Sequence, residues 1–371
     1  MKKILTSVSA TCLLAGAAHA GALDRTGQSV DVLFEEGRYI EFSLGSVSPD
    51  ISGNSVSVLP NGSGSGDISP SSVNFGAAYK ADINDQWSYA FILEEPFKAE
   101  VDYPDGTGYF AEGSNAEFNS IALTGLLQYN MQNGFSVFGG LRLQRTDANA
   151  GIAFVGGGYE VKAEQDWGVG YVAGVAYERP DIALRVSLTY SSEIAHENDV
   201  SETFAGAPFL DADSTAEFET PQSVNLAFQT GIAADTLLFG GIRWVDWSDF
   251  DLSPNVYSSS TVTGSPLLSY EEDVTTYTLG LGRRLSDQWS VAASVGYEEN
   301  TGALFTNLGP ADGQTSLGLA AIYTHGNMRV TTGVRYIWIG DTETRVGSLE
   351  PGAEFKDNDA VAFGVKVGYN F

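Results

Sequence analysis

Seven basic side chains stand out as the residues best able to do chemistry: Lys80, Arg142, Arg185, Arg243, Arg284, Arg335 and Lys366. Each falls on the polar face of a segment in which apolar and polar residues alternate. A guanidinium can hold a carboxylate through two parallel hydrogen bonds, so Arg142, Arg243, Arg284 and Arg335 are candidate holders of an acidic head group. Each has a simpler option, which is to pair with an acid of the same chain. Glu41 and Glu298 are placed for this, as are Asp31, Glu35 and Glu36 near the start. A second candidate is the stretch from His196 to Glu219, where Phe204, Phe209 and Leu210 stand among seven acids. Apolar clusters on a surface mark binding sites; the alternative is a loop packed on its neighbours. Enzymatic chemistry is poorly served. After residue 20 the only histidines are His196, read as lying in a loop, and His325, at a turn. A serine hydrolase therefore has few candidate bases. Gly156-Gly157-Gly158 lacks the following helix that a phosphate-binding loop requires. No enzyme, cofactor or metal site is expected.

These side chains must be positioned by strands. Val73, Phe75, Ala77 and Tyr79 alternate with Asn74, Gly76, Ala78 and Lys80. The same period of two recurs at Val224 to Ile232, Thr276 to Gly282, Trp289 to Tyr297 and Val330 to Trp338. Successive strand side chains point to opposite faces, so each segment has one apolar and one small or polar face. A soluble sandwich alternates too, but these segments run about ten to fourteen residues, against the usual five or six of soluble strands. That length suits a tilted strand crossing a bilayer.

The connections alternate as well. Asn84-Asp85, Asn130 to Asn133, Arg179-Pro180-Asp181, Ala234-Asp235, Ser286-Asp287 and His325-Gly326 are tight. Val47 to Ser71, Lys98 to Ala116, Ile194 to Thr220 and Asp251 to Asp273 are long. Short turns on one side and long loops on the other are the outer-membrane pattern. Fourteen strands are expected, beginning near Arg38, Ser72, Gln86, Glu117, Gly134, Gln165, Ile182, Pro221, Thr236, Val274, Gln288, Gln314, Asn327 and Asp359. The predicted fold is thus all-β, a transmembrane antiparallel barrel over 38–371. Both termini would lie on the periplasmic, short-turn side. The last strand, Val361 to Phe371, ends on an aromatic residue, a common closure in such barrels and a handle for the barrel-assembly machinery. Trp87 and Trp289 just follow short turns, where an interfacial girdle belongs.

Residues 1–20 read as a secretory signal peptide, with Lys2 and Lys3 before the apolar stretch Ile4 to Gly16 and a small-x-small site at Ala18-His19-Ala20. The single cysteine, Cys12, lies inside it. Beyond it there is no apolar run near the 20 residues of a membrane helix. The formal charge of -28 becomes about -30 without the two lysines, which speaks against nucleic acid as a partner. The loop acids offer oxygen ligands for Ca²⁺ shared with lipopolysaccharide, or simple solvation.

The order of features from Thr220 onward resembles the FadL/TodX-type outer-membrane transporters of long-chain fatty acids and other hydrophobic compounds. The matching stretches are Thr220-Pro221-Gln222-Ser223-Val224-Asn225-Leu226, Arg243-Trp244-Val245-Asp246-Trp247-Ser248, Leu285 to Val291, and Gly309 to Gln314. Pro96-Phe97 followed by Asp102-Tyr103-Pro104 is similar to the segment after the family's third strand. The resemblance implies transport of a hydrophobic small molecule, long-chain fatty acids first, captured by outer loops and passed through the barrel. It also implies an N-terminal plug, but the family's Asn-Pro-Ala motif is absent and only residues 21–37 precede the first strand. Val32, Leu33, Phe34, Glu35 and Glu36 would form this short plug, or a tail. A blocked barrel of this kind would leave an opening through its side wall, and Gly139-Gly140 and Gly240-Gly241 are places where a wall could kink. The rivals are a water-filled diffusion porin and a surface adhesin.

Overall fold

The computed structural model describes residues 23–131, 133–205, 212–347 and 349–371, so the expected signal peptide lies outside the described residues. Fourteen barrel strands follow in order: β1 Tyr39–Asp50, β2 Ser72–Asp82, β3 Trp87–Glu94 continued by Lys98–Asp102, β4 Asn115–Asn130 and β5 Phe135–Ile152. Next come β6 Tyr159–Arg179, β7 Leu184–Ser191 continued by Ile194–Phe204, β8 Ala212–Thr220 continued by Ser223–Ala233, and β9 Thr236–Val245. The circuit ends with β10 Val274–Arg284, β11 Trp289–Glu298, β12 Gln314–His325, β13 Met328–Ile339 and β14 Asp359–Asn370. Every strand is antiparallel to its neighbours, and β14 returns to β1 with Tyr39 opposite Asn370 and Asp50 opposite Asp359. Closure leaves no edge, which is what hydrocarbon demands of a sheet.

The outward face of the wall is apolar. Leu123, Leu141, Val169, Val175, Leu279, Leu319 and Phe363 are all exposed, Leu141 at 66%. Rings mark both margins of this band. Trp87 on Tyr129, Phe135 on Tyr177 and Trp289 on Tyr323 lie at the short-turn end, with centroids 4.6–4.9 Å apart. Tyr171 on Tyr190 and Tyr336 on Trp338 lie toward the long loops. Two aromatic girdles bounding an apolar band are the signature of a barrel in lipid.

Above the upper girdle the wall turns inside out. In the upper part of β6, Tyr159, Val161 and Ala163 are buried while Glu160, Lys162 and Glu164 face water; lower down, Trp167, Val169 and Tyr171 face outward. The apolar residues keep one parity in the sequence, and the side they face changes. What changes it is an irregularity at Glu164-Gln165, where the register with β5 slips by one residue. Strands β3, β7 and β8 make the same exchange at Glu95–Phe97, Ser192-Glu193 and Pro221-Gln222, where each is interrupted. An extra residue between two ladders flips every side chain beyond it to the other face. In β4 and β5 the backbone runs on unbroken, and the sequence changes parity instead. Leu123 and Leu127 face out below, while Phe118 faces in above; Leu141 and Leu143 face out, while Ala150 and Ile152 face in.

This corrects two expectations. The stretch Ile194 to Thr220 is largely a β-ribbon, Ile194–Phe204 on Ala212–Thr220, and not a loop. Its described charged residues, apart from buried Glu202, face water on a strand that has risen clear of the membrane. Nor do the glycine pairs break the wall, because β5 and β9 run straight through them. A Cβ at Gly140 would lie 1.8 Å from the Gly125 carbonyl oxygen, and one at Gly240 2.4 Å from that of Thr278. These glycines allow close packing.

The long loops close over the ribbons as a cap. It contains a four-stranded sheet of Gly53–Ser55, Leu304–Phe305, Thr342–Val346 and Leu349–Phe355. The inversion makes a sharp prediction. Leu141→Arg, deep in the outward band, is expected to cost about 2–4 kcal/mol. Glu160→Arg, on the outward face above the girdle, is expected to cost nothing measurable. Both are read from the heat needed to lose the compact band on unheated gel electrophoresis, and equal losses would sink the inversion.

Candidate functional site

The described residues before β1, 23–38, lie inside the barrel. A single turn of 3-10 helix, Asp31–Phe34, buries Val32, Leu33 and Phe34. These pack on Ala78, Ala90, Ile92, Leu126, Phe138 and Val172 of the inner wall. On the opposite wall the contacts are polar. Ser223 donates to Gln28 at 3.0 Å and Asn225 to the Gly27 carbonyl at 2.9 Å. Three ion pairs complete the clamp: Asp24–Arg243 at 2.6 Å, Asp31–Arg185 at 3.3 Å and Glu35–Arg329 at 2.6 Å. The Arg185 guanidinium also lies over the Phe34 ring, 4.6 Å from its centroid. Glu36 contributes its backbone, whose carbonyl accepts from Asn370 at 3.0 Å.

The break in β3 is where this segment docks. Between Glu94 and Lys98 the strand stops pairing as a continuous ladder, and its backbone turns to the N-terminal segment instead. Arg25 N–H donates to the Pro96 carbonyl and Lys98 N–H to that of Leu23, each at 2.8 Å. Ser120 of β4 holds the break open by donating to Phe97 O and accepting from Phe97 N–H, also at 2.8 Å. On the other side, β2 pairs with β3 only as far as Gly76 opposite Glu94. Ser72 to Phe75 meet no ladder there, and Phe75 N–H is taken by the Glu95 carboxylate at 2.9 Å.

Beside this break, charges collect beneath rings. Arg142 reaches Glu94 at 3.3 Å and also binds Thr124 at 2.9 Å. Arg243 gives Nε to Asp24 and Nη1 to Asn225 at 2.9 Å, while its Nη2 is buried with no acceptor. Arg142 is within electrostatic reach of Arg243 and Asp24, and Arg25 of Asp24. Three guanidiniums thus share a floor with two carboxylates. Directly above it, Phe97 meets Trp247 edge to face at 5.6 Å, and Trp247 meets Phe250 at 5.5 Å.

Higher still, the inverted ribbons enclose an apolar chamber. Its walls include Val101, Phe118, Ala150, Val161, Val200 and Ala216, and Leu252, Leu267, Leu268 and Leu308 of the cap cover it. The cavity between them is small, about 40 Å³, so a ligand of any length must part the cap residues to enter it. Two tyrosines edge the surrounding cluster. Burial, then the 2.7 Å bond to Glu202, keeps the Tyr159 phenol protonated; burial pushes Tyr257 up to about 12. Glu202 is itself spoken for, accepting from Val256 and Tyr257 N–H groups at 3.0 Å.

The candidate residues separate accordingly. Arg142 and Arg243 meet at the floor. Arg335 is buried lower, lining a luminal cavity with Arg243, Gln314 and Ser316. Arg284 stands apart at the short-turn rim, its Nε 2.8 Å from Asp235. Phe204 packs against the apolar cluster from the ribbon tip, while Phe209 and Leu210 lie outside the described residues. His196 is not in a loop; it is buried on β7, its Nδ1 3.1 Å from Asp166. The sequence reading missed Asp24, Arg25, Glu94 and Trp247. Of these, only Trp247 had a signal, inside the Arg243–Ser248 motif. Among the described residues no group of acids, histidines or cysteines is arranged to hold a metal ion.

A closed fourteen-strand barrel with a segment clamped in its lumen and an apolar chamber over a charged floor defines an outer-membrane channel. A family model described as outer membrane protein transport protein (OMPP1/FadL/TodX) matches residues 33–371, so the chain belongs to that family of transport channels. Its fold is that of a Pseudomonas aeruginosa FadL homologue, with TM-score 0.76 and 15% identity over 96% of this chain and 97% of that one. The toluene transporter TodX of P. putida superposes with TM-score 0.66 and 14% identity over 92% of each chain. Ralstonia pickettii TbuX, also a toluene transporter, gives 0.63 and 14% over 92% and 91%. No curated protein matches the chain in sequence.

The clamp is directly testable. Arg243→Ala removes the guanidinium that pairs with the buried Asp24 carboxylate and is expected to cost about 3–5 kcal/mol. Asp24→Ala combined with Arg243→Ala should restore part of that stability while freeing the N-terminal segment. Limited proteolysis before β1 and ion conductance in planar bilayers should both rise in the double variant. Unchanged conductance would show that the segment does not block the lumen.

Proposed function

We propose that the protein takes up long-chain molecules with an acidic head, fatty acids foremost, from outside the cell. The orientation rests on the loop lengths: the cap and chamber are taken to face outward, and the short turns, with the start of β1 and the end of β14, to face the periplasm. Cargo enters the apolar chamber tail first or head first and comes to rest with its carboxylate on the arginine floor. The observation that carries this reading is Arg243 Nη2, a buried guanidinium nitrogen without an acceptor, below the Phe97–Trp247 rings. A charged hydrogen bond there is worth about 1.5–3 kcal/mol. The N-terminal segment acts as a plug, so cargo leaves sideways through the wall at the β3 break rather than straight down.

A second reading takes neutral aromatic hydrocarbons as cargo. The chamber walls are almost wholly apolar, and the TodX and TbuX structures are those of toluene transporters. A comparison separates the two. Purified protein in mild detergent is offered a long-chain acid and the alcohol of the same length, and bound ligand is counted by native mass spectrometry. The acid should be preferred, and Arg243→Lys, which keeps a partner for Asp24, should weaken acid binding by about tenfold, or 1.4 kcal/mol, without touching the alcohol. Equal binding of both by the wild type would hand the case to neutral cargo.

A further inference from the structure

The wall has a second discontinuity, between β6 and β7. Their ladder runs from Arg179–Leu184 up to Val172–Ser191 and resumes from Ala163–Val200 to Tyr159–Phe204. The two ladders share one register, yet residues 164–171 and 192–199 between them form no ladder; at the lower end Ser192 N–H still donates to the Tyr171 carbonyl at 2.9 Å, and at the upper end the Asn198 side-chain amide donates to the Glu164 carbonyl at 2.6 Å. The reason is phase. The irregularity in β6 lies at the top of this stretch and that in β7 at the bottom, so in-register partners point to opposite faces. Val169 faces out where Ile194 faces in, and Gly168 faces in where Ala195 faces out. Opposed residues of an antiparallel ladder must share a face, and here Trp167–His196, Gly168–Ala195, Val169–Ile194 and Gly170–Glu193 do not.

Side chains close the seam instead. Ile194 fills a notch between two glycines: a Cβ on Gly168 would lie 2.4 Å from Ile194 Cγ2, and one on Gly170 2.6 Å from its Cγ1. Above it, Asp166 binds His196 Nδ1 and Glu197 N–H, each at 3.1 Å. One ring separates the outer surface from the chamber cluster, because His196 lines a cleft opening between β6 and β8 and stacks on Phe218 at 5.5 Å. The lower seam is flanked by exposed Trp167, Val169 and Tyr171, at the upper girdle.

We infer that this seam is a second side door, joining the outer leaflet at its water interface to the apolar chamber, with Ile194 as its leaf. It admits neutral, slender apolar molecules such as long-chain alcohols or hydrocarbons. Anions are disfavoured by the carboxylates of Glu193, Glu197, Glu217 and Glu219, all on the exposed face. It rests on the reading above only for the orientation of the barrel and the use of the chamber.

The test uses a long-chain alcohol carrying a diazirine, dissolved in vesicles that contain the full chain. Gly170→Cys with Ile194→Cys places two cysteines across the seam, and the only native cysteine, Cys12, precedes the barrel. Irradiation should label chamber peptides containing Ala163 and Val200 in the wild type and in the reduced variant. Oxidation should abolish that labelling, and reductant should restore it. Ile194→Ala, which removes the leaf, should raise it. Undiminished labelling after oxidation would overturn the door, as would no labelling in any form. Binding of the long-chain acid offered from water remains the separate measure of the carrier reading.

Discussion

Everything in this barrel follows from one demand: the same strands must face hydrocarbon over their lower part and water over their upper part. Apolar side chains belong outside in the first region and inside in the second. A strand with a period of two cannot satisfy both unless something shifts its phase. The chain uses two devices. In β3, β6, β7 and β8 an extra residue in the backbone rotates the upper part, and the apolar parity in the sequence stays constant. In β4 and β5 the backbone stays regular and the sequence itself changes parity. The apolar chamber is the product of this change, since it occupies the part of the barrel where the inner face has become apolar.

The charged floor lies where the two regimes meet. At and below it the inner face is polar apart from the apolar patch beneath Val32 to Phe34, and Arg142, Arg185, Arg243 and Arg329 need partners there. A buried ion pair gains little net stability but strongly penalises loss of one member. Pairs of this kind act as register marks, and three of them fix a segment of only sixteen described residues across the lumen. Its apolar turn supplies the cohesion, with Phe34 edge to face against Phe138 at 6.3 Å.

Much of this was legible beforehand. Strand number, the tight turns and the inward placement of Arg142, Arg243 and Arg335 follow from period and spacing, because lipid imposes a strict alternation. The ribbon from Ile194 to Thr220 was not legible as such. Its outward face is Glu197, Asp199, Ser201, Glu217 and Glu219, which reads as loop composition when strands are identified by exposed apolar residues. Parity was the overlooked signal: Ile194, Val200, Ala216 and Phe218 continue the even positions of Val186, Leu188 and Leu226. The floor was half visible. Arginines could be assigned to a face, but Asp24 and Glu94 come from distant segments, and only the fold brings them together.

The docking of Leu23 and Arg25 on the interrupted β3 ties two distant events into one equilibrium. Withdrawing the N-terminal segment removes the hydrogen bonds that Pro96 and Lys98 make with it, so those groups must re-form a wall or stay unsatisfied. Linkage is reciprocal: whatever stabilises a straightened β3 weakens the hold on the segment by the same free energy. On the proposed reading, a molecule lodged at Phe97 would act as an effector of the N-terminal segment as well as a passenger.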